Sequence, residues 1–201
     1  MAIKHSDETR EKILTAAFCE MHRNGFQAAS IGNILSDTGL TKGALYHHFD
    51  AKHALGLAVV EEVIGPRLEG MIFQPLRESE HPVHKLLEII RDSSENKSMD
   101  EIKLGCPLNN LMQEMSPLDE VFKEKLSEIL KTWRRTITSA LEKSQANGEV
   151  RDDVDCKAAA LFIVASWEGC IGTAKSLQSL KAFRLCMLQL HGYVAALMTG
   201  K

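Results

Sequence analysis

The chain has 201 residues, of which 44% are hydrophobic and 25% are charged, and its formal net charge is −3. This composition is typical of a folded globular protein, and the slight negative charge excludes a chain that binds polyanions over its whole surface. The longest strongly apolar run, 158–167, is too short to span a bilayer, and the start has no apolar signal core. We therefore expect a cytoplasmic protein without a membrane partner.

The five cysteines are odd in number and widely separated, and no pair has the spacing of a metal site. A reducing compartment is the simplest interpretation, and we expect neither a metal nor another cofactor.

Charge is unevenly distributed along the chain. The first 53 residues contain six Lys or Arg, six acidic residues and five of the eight histidines, so the net negative charge lies in 54–201. This asymmetry allows a local nucleic-acid face on an acidic body.

Nearly every periodic segment predicts a helix, and the first runs from Ser6, as N-cap, to Gly25. Ser30 caps a short second helix and Thr41 a third, with a glycine-containing turn between them. Two short helices joined in this way are the ingredients of a helix-turn-helix.

The fourth predicted helix covers residues 51–73 and contains Gly65-Pro66. Proline removes one backbone hydrogen bond and clashes with the preceding turn, so the sequence predicts a kink or break there. Such a feature is either a hinge or a fixed bend that shapes packing.

Later helices are predicted from Pro82, from Cys106-Pro107, from Ser116-Pro117 to Gly148, from Asp153 or Asp155, and over 183–198, whereas 96–100 is typical of a loop. The last two are apolar over more than one stripe and carry small residues, so they must be buried on several sides. A second copy of the chain is the simplest cover, which predicts a homodimer in an all-α fold.

The segment 41–52 has the residue types that DNA recognition needs. Lys42 lies in the first turn, where recognition helices meet base edges, and Gly43 and Ala44 leave room for a close approach. Hydroxyl, imidazole and ammonium groups downstream are suited to phosphate oxygens. The expected DNA-binding set is Ser30, Thr41, Lys42, Gly43, Ala44, Tyr46, His47 and Lys52. The alternative is that 30–53 is only a compact helical hairpin.

Residues 13–17, Gly25-Phe26, 30–40 and 41–52 with Leu55 resemble the TetR (tetracycline-repressor-like) family of transcriptional regulators. The resemblance implies a three-helix DNA-binding domain over 1–53 and a larger helical effector-binding and dimerisation domain over 54–201. It also implies a homodimer formed through the last two helices, a palindromic double-stranded operator, and repression relieved by a small molecule.

The same resemblance implies a pocket among the middle helices. Its expected lining is Met71, Cys106, Met112, Met115, Phe122, Trp133 and Trp167. For each of these residues the alternative is ordinary core packing.

Cys106 lies at a predicted helix N-terminus, where backbone amides stabilise a thiolate. Some members of the resembled family sense oxidants or electrophiles through a cysteine in this region. Cys106 is therefore a candidate sensor thiol, with Lys175 as a neighbour, and the alternative is a buried side chain that lines the pocket.

No phosphate-binding loop, metal-spaced His/Cys set or nucleophile motif is present in the sequence, so we expect no enzyme. Two alternatives to a ligand-released repressor stay open: a DNA-binding module that recruits a protein partner without a small effector, and an activator.

Overall fold

The computed structural model describes residues 2–200, with side chains from residue 7 onward. We number its helices α1 Ala2–Asn24, α2 Ile31–Leu35, α3 Lys42–His48, α4 residues 52–78, α5 Pro82–Asn96, α6 Met99–Leu104, α7 Pro107–Met115, α8 Glu120–Ala146, α9 Cys156–Leu177 and α10 Leu180–Ala196. Over this range the extended structure is confined to one isolated antiparallel bridge, between Val150 and Met198. The all-α prediction is confirmed. None of these helices combines the length and hydropathy that a membrane crossing would need.

The described chain forms two compact units. The first consists of Met1–Arg67 with Asn110–Ser127, and the second of Leu68–Asn109 with Glu128–Lys201. The first unit extends past residue 53 because side chains such as Leu55 and Phe122 are fully buried in it. As a division of function, the boundary after residue 53 remains a prediction.

Helix α1 begins at Ala2 and not at Ser6, so the predicted N-cap was wrong. Ser6 lies within the helix, and its side chain is outside the described ones. The C-terminal prediction is confirmed, because Gly25 follows the helix with φ 84°, in the left-handed region that favours glycine.

Helix α4 continues through Gly65-Pro66, so the prediction that the helix breaks there was wrong. Segments Lys52–Val59, Gly65–Leu68 and Gln74–Glu78 are α-helical, and Val60–Ile64 and Glu69–Phe73 are π-helical. Each π-helical turn ends two residues before a proline, Pro66 or Pro75. Because proline lacks an N–H and crowds the preceding turn, a wider turn lets the helix absorb it without ending. Whether Gly65-Pro66 acts as a hinge remains a prediction.

Two helix starts in the middle of the chain differ from the predictions. Helix α6 occupies part of the predicted loop, because Ser98 and Glu101 form a capping box in which each side chain binds the other's backbone N–H. Helix α8 begins at Glu120, not near Pro117, since the Asp119 carboxylate accepts a 2.9 Å hydrogen bond from the Phe122 N–H. Both differences come from side-chain caps.

Candidate nucleic-acid interface

Helices α2 and α3 each begin at a side-chain cap. The Ser30 hydroxyl accepts a hydrogen bond from the Asn33 N–H at 3.0 Å, and the Thr41 hydroxyl accepts one from the Ala44 N–H at 3.2 Å. Both caps have extended backbone angles, as N-caps do. The predicted starts of both helices are confirmed.

The turn between these helices is held by Thr38 and Gly39. Gly39 has φ 68°, a left-handed conformation that costs a residue with a Cβ additional free energy. Thr38 is buried, and its hydroxyl donates to the Leu35 carbonyl at 2.9 Å and accepts from the Leu40 N–H at 3.1 Å. The turn is therefore internally satisfied, which fixes the direction in which α3 leaves it.

Helix α3 has a buried face and an exposed face. Leu45 and, just after the helix, Phe49 are buried in the first unit. The exposed residues of the predicted DNA-binding set are Ser30, Thr41, Lys42, Gly43, Tyr46 and His47, and Ala44 is half-buried. The structure therefore leaves these predicted contacts accessible, at the caps of α2 and α3 and along the exposed face of α3. That they touch DNA remains a prediction.

Among the described residues, nothing packs so closely against Gly43 or Gly32 that glycine is required there. A Cβ on Gly43 would meet Thr41 Oγ1 at 3.7 Å, and a Cβ on Gly32 would meet Ser30 Oγ at 3.8 Å, both ordinary van der Waals distances. Both residues are helical, where glycine is less favourable than alanine by about 1 kcal/mol. Close approach of another backbone to this surface would account for both glycines. Gly32 is a further candidate for this surface, outside the DNA-binding set predicted from the sequence.

Lys52 is partly engaged inside the first unit. Its ammonium donates to the carbonyls of Gln27 and Ala29 at 3.0 and 2.8 Å and lies 4.8 Å from the centre of the Phe26 ring. These contacts tie the loop before α2 to the start of α4. Because an ammonium has three donors, one donor is left for the predicted phosphate contact.

Residues 110–127 hold the same loop from another side. The Glu114 carboxylate accepts hydrogen bonds from the backbone N–H groups of Phe26 and Gln27, both at 2.8 Å. The Phe122 ring packs 4.7 Å from the Phe26 ring, and Asp119 accepts from His53 at 2.8 Å. A charge-assisted pair of bonds of this kind is strong, so Glu114 is a positioning residue for the loop that leads into α2.

The expected effector-pocket residues are divided between the two units. Met112, Met115 and Phe122 belong to the first unit, where Met115 and Phe122 are buried in its core. In the second unit Met71 and Trp167 line one cavity of about 290 Å³, and Trp133 packs against Trp167 with ring centres 5.8 Å apart. That these residues line an effector pocket remains a prediction.

The Cys106 thiol has an environment opposite to that of a sensor thiolate. Its Sγ donates to Glu168 Oε1 at 3.3 Å. Burial, followed by the negative charge of Glu168, raises the pKa of the thiol far above its ordinary value, and these effects outweigh the backbone amides of Asn109 and Leu108. The helix N-terminus acts in the expected direction but is outweighed, so this environment disfavours a thiolate, and a sensor role for Cys106 remains a prediction. A role for Lys175 beside it remains a prediction.

Glu114 and Glu168 were both missed from the sequence. Glu114 has no local signal, because its partners lie 88 and 87 residues away. Glu168 does have a local signal in the sequence, since it is the only charged residue between 158 and 174.

Comparison with known proteins places this geometry in a family. Residues 13–59 match the family described as "Bacterial regulatory proteins, tetR family", and residues 82–190 match "Tetracyclin repressor-like, C-terminal domain". The chain belongs to the TetR family of transcriptional regulators. The resemblance inferred from the helix-turn-helix residues is thereby confirmed, and this TetR-family chain is a DNA-binding transcriptional regulator, a non-enzymatic class.

Among the relatives of this TetR-family chain, the transcriptional regulator AcuR of Cereibacter sphaeroides is 30% identical over 167 residues, which cover 82% of this chain and 75% of AcuR. The transcriptional repressor DhaR of Mycobacterium sp. is 26% identical over 154 residues, which cover 73% of this chain and 72% of DhaR. The solved TetR-family regulator of Cytophaga hutchinsonii superposes with a TM-score of 0.86 at 21% identity, with 98% of each chain covered, and shows the same fold.

Proposed function

We propose that this chain is a homodimeric repressor that binds an inverted-repeat operator through α3 and is released by a small molecule bound in the second unit. The observation that carries the DNA contact is the exposed start of α3, where Lys42 follows the Thr41 cap and a Cβ on Gly43 would make only an ordinary van der Waals contact, with Thr41 Oγ1 at 3.7 Å. A cation beside a close-approach glycine is the arrangement that a recognition helix needs in the major groove. The protein acts in the cytoplasm, where bacterial DNA lies.

The homodimer is supported by the outer surface of α9 and α10. Five large apolar side chains there are each more than half exposed: Leu161, Phe162, Leu177, Leu185 and Leu188. Several large apolar side chains exposed on two packed helices are typical of a protein interface, and a second copy gives a twofold pair of α3 helices. Two such helices read half-sites that are related by the same twofold axis.

Repression is supported by the similar protein DhaR, which is named a transcriptional repressor. Release by a ligand is supported by the cavity beside Trp167 in the second unit. An apolar cavity with a few polar groups is the usual form of a small-molecule site.

The DNA proposal is tested by selection from random duplex DNA at low salt, followed by titration of the enriched sequence with Lys42→Gln. We expect an inverted repeat, and a salt dependence of binding whose slope falls by about 1 in the variant for each lost phosphate contact, or a loss of base preference at one position. Lys103→Gln, which removes an exposed charge on α6 of the second unit, is the matched control. An enriched sequence that binds both variants like the wild type would contradict the assignment of Lys42.

The dimer proposal is tested by sedimentation of Leu188→Glu, with Leu118→Glu as control. Leu188 is 60% exposed on α10, and Leu118 is 62% exposed in the first unit, so both variants should fold. We expect only Leu188→Glu to sediment as a monomer and to lose operator binding. A folded, monomeric wild-type protein, or selection of a single half-site, would favour the alternative of a module that recruits a protein partner.

A further inference from the structure

Cys170 and Cys186 lie opposite each other in the hairpin that α9 and α10 form. Helix α9 ends at Leu177 and α10 begins at Leu180, so a short turn makes them antiparallel neighbours, and the two helices pack against each other. Cys170 lies seven residues before the end of α9, and Cys186 lies six residues after the start of α10. At 1.5 Å per residue, both are about 9–11 Å from the turn, and so at the same level of the hairpin.

A second pair of side chains supports this register. The rings of Phe162 on α9 and Tyr193 on α10 pack with centres 4.6 Å apart. Phe162 lies eight residues before Cys170, and Tyr193 lies seven residues after Cys186. Residues seven or eight apart share one face of a helix, about two turns from each other. The faces on which the two rings meet therefore continue to the two cysteines.

The two thiols interact directly, and they differ in accessibility. Both cysteines are free, and their side chains form a hydrogen bond with each other. Cys170 is 7% exposed, whereas Cys186 is half-buried. Cys186 lies about 100° around α10 from Leu185 of the proposed dimer surface, on the flank that faces α9. A small reagent therefore meets Cys186 before it meets Cys170.

The two thiols also differ in how readily they lose a proton. Burial, followed by the negative charge of Cys186 and the hydrogen bond with it, raises the pKa of Cys170 to about 12. When the pair loses one proton, Cys170 therefore keeps its own, and the charge is on Cys186. The S–H group of Cys170 can then donate to the Cys186 sulfur. Since the thiolate is the reactive form of cysteine, Cys186 is the nucleophile of the pair.

We propose that Cys170 and Cys186 are a redox-active dithiol, which hydrogen peroxide converts into a reversible disulfide that joins α9 to α10. The Cys186 thiolate attacks one peroxide oxygen, the O–O bond breaks, hydroxide leaves, and Cys186 becomes a sulfenic acid. The Cys170 sulfur then attacks the Cys186 sulfur, the S–S bond forms, the S–O bond breaks, and the leaving hydroxide takes the Cys170 proton as water. Two thiols and one peroxide thus give one disulfide and two waters, so that the sulfurs are oxidised and the peroxide is reduced.

The hairpin favours the second step and is stabilised by its product. Because the two sulfurs already interact, the sulfenic acid is captured within the same chain before a second peroxide can oxidise it further. Disulfides join Cα atoms roughly 4.4–6.8 Å apart, a spacing that residues facing each other between packed helices can reach. The disulfide would restrict the unfolded chain, so the oxidised protein should unfold at a higher temperature than the reduced protein.

The test treats the reduced, full-length protein with hydrogen peroxide, without DNA, and then blocks the remaining thiols with iodoacetamide. Trypsin places the two cysteines in separate peptides, 158–175 and 185–201, each with a single cysteine. We expect mass spectrometry to find these two peptides linked to each other within a single protein chain, and dithiothreitol to separate them. The melting temperature should rise on oxidation and return to its starting value on reduction.

Two variants separate the roles of the thiols. Cys170→Ser should leave a sulfenic acid at Cys186, which dimedone traps, and Cys186→Ser should abolish both the link and the trapped product. Cys19→Ser removes an exposed thiol on α1 and should leave the link and the melting shift unchanged. Circular dichroism establishes that all three variants fold.

Three results would overturn the proposal. They are unmodified Cys170 and Cys186 after a treatment that oxidises Cys19, a link formed only between two protein copies, and no dimedone product at Cys186 in Cys170→Ser. The dithiol does not depend on the proposed repressor function. Because no DNA is present, any of these results leaves the operator-binding experiment intact.

Discussion

Replacing Gly43 by alanine should raise the free energy of unfolding and lower the affinity for the operator. Gly43 is the second residue of α3, is exposed, and has helical neighbours on both sides. The new methyl group would meet only Thr41 Oγ1 within 4 Å, at 3.7 Å, so it fits without strain. Because glycine loses more backbone entropy on folding than alanine, the free energy of unfolding should rise by about 0.5–1 kcal/mol.

The same methyl group projects from the exposed stretch that we assign to DNA. If the α3 backbone approaches the groove closely, the methyl group occupies space needed by the DNA, and an over-packed contact of this kind costs about 1–3 kcal/mol. The Kd for the selected operator should then rise by roughly 5- to 150-fold. Stability and affinity would therefore change in opposite directions.

Urea unfolding and fluorescence anisotropy with labelled operator measure the two quantities. Gly70→Ala is the control for the substitution itself, since Gly70 is exposed in α4 of the second unit and its Cβ would meet nothing within 4 Å. Gly56→Ala is the opposite case, because its Cβ would lie 2.5 Å from the Phe26 ring and 2.7 Å from the Phe122 ring, and it should destabilise the protein. A Gly43→Ala protein that is more stable and still binds the operator like the wild type would refute the close approach of α3.

Three further outcomes are expected. Glu114→Gln leaves one amide oxygen for two backbone donors, so the free energy of unfolding should fall by about 1–3 kcal/mol. The backbone amide hydrogens of Phe26 and Gln27 should also exchange with solvent faster, and unchanged exchange would contradict the role of Glu114 in holding the loop. The pKa of Glu168 rises from 4.5 to about 7 on folding, so the folded chain keeps a proton that the unfolded chain has lost, and stability falls as pH rises through this window. Glu168→Gln should therefore gain up to about 3 kcal/mol over the wild type at pH 8 and little at pH 4, and an equal difference at both pH values would contradict this. Cys106 should react with a thiol reagent more slowly than the exposed Cys19, since burial keeps its thiol protonated; faster labelling of Cys106 would support the sensor hypothesis.

The DNA-binding part could be predicted from the sequence because its signals are local. Ser30 and Thr41 cap helices three residues away, and Gly39 sets the turn between them. The capping box of Ser98 and Glu101 is equally local, so the start of helix α6 could also have been predicted from the sequence. Hydrogen bonds over three residues depend on little beyond the residues themselves.

The position of the Glu168 carboxyl could not be predicted in the same way. An isolated acidic residue in an apolar run indicates that a charge is buried, but not which groups face it. Its pKa depends on desolvation and on Lys97 and Cys106, which lie 71 and 62 residues earlier in the chain. The same kind of burial outweighs the effect of the helix N-terminus on the pKa of Cys106.

By itself the sequence determined the helical class, the caps and turn of the helix-turn-helix, and the family, because each depends on residue types at short spacings. The tertiary structure alone decided that Lys52 binds the loop carbonyls of Gln27 and Ala29, and that Glu114 holds the same loop from residues 110–127. It also decided that Glu168 has a buried oxygen without a partner among the described residues. Burial and pairing across many residues are properties of the packed chain, since the free energy of a charge depends on what surrounds it in space and not on its neighbours in sequence.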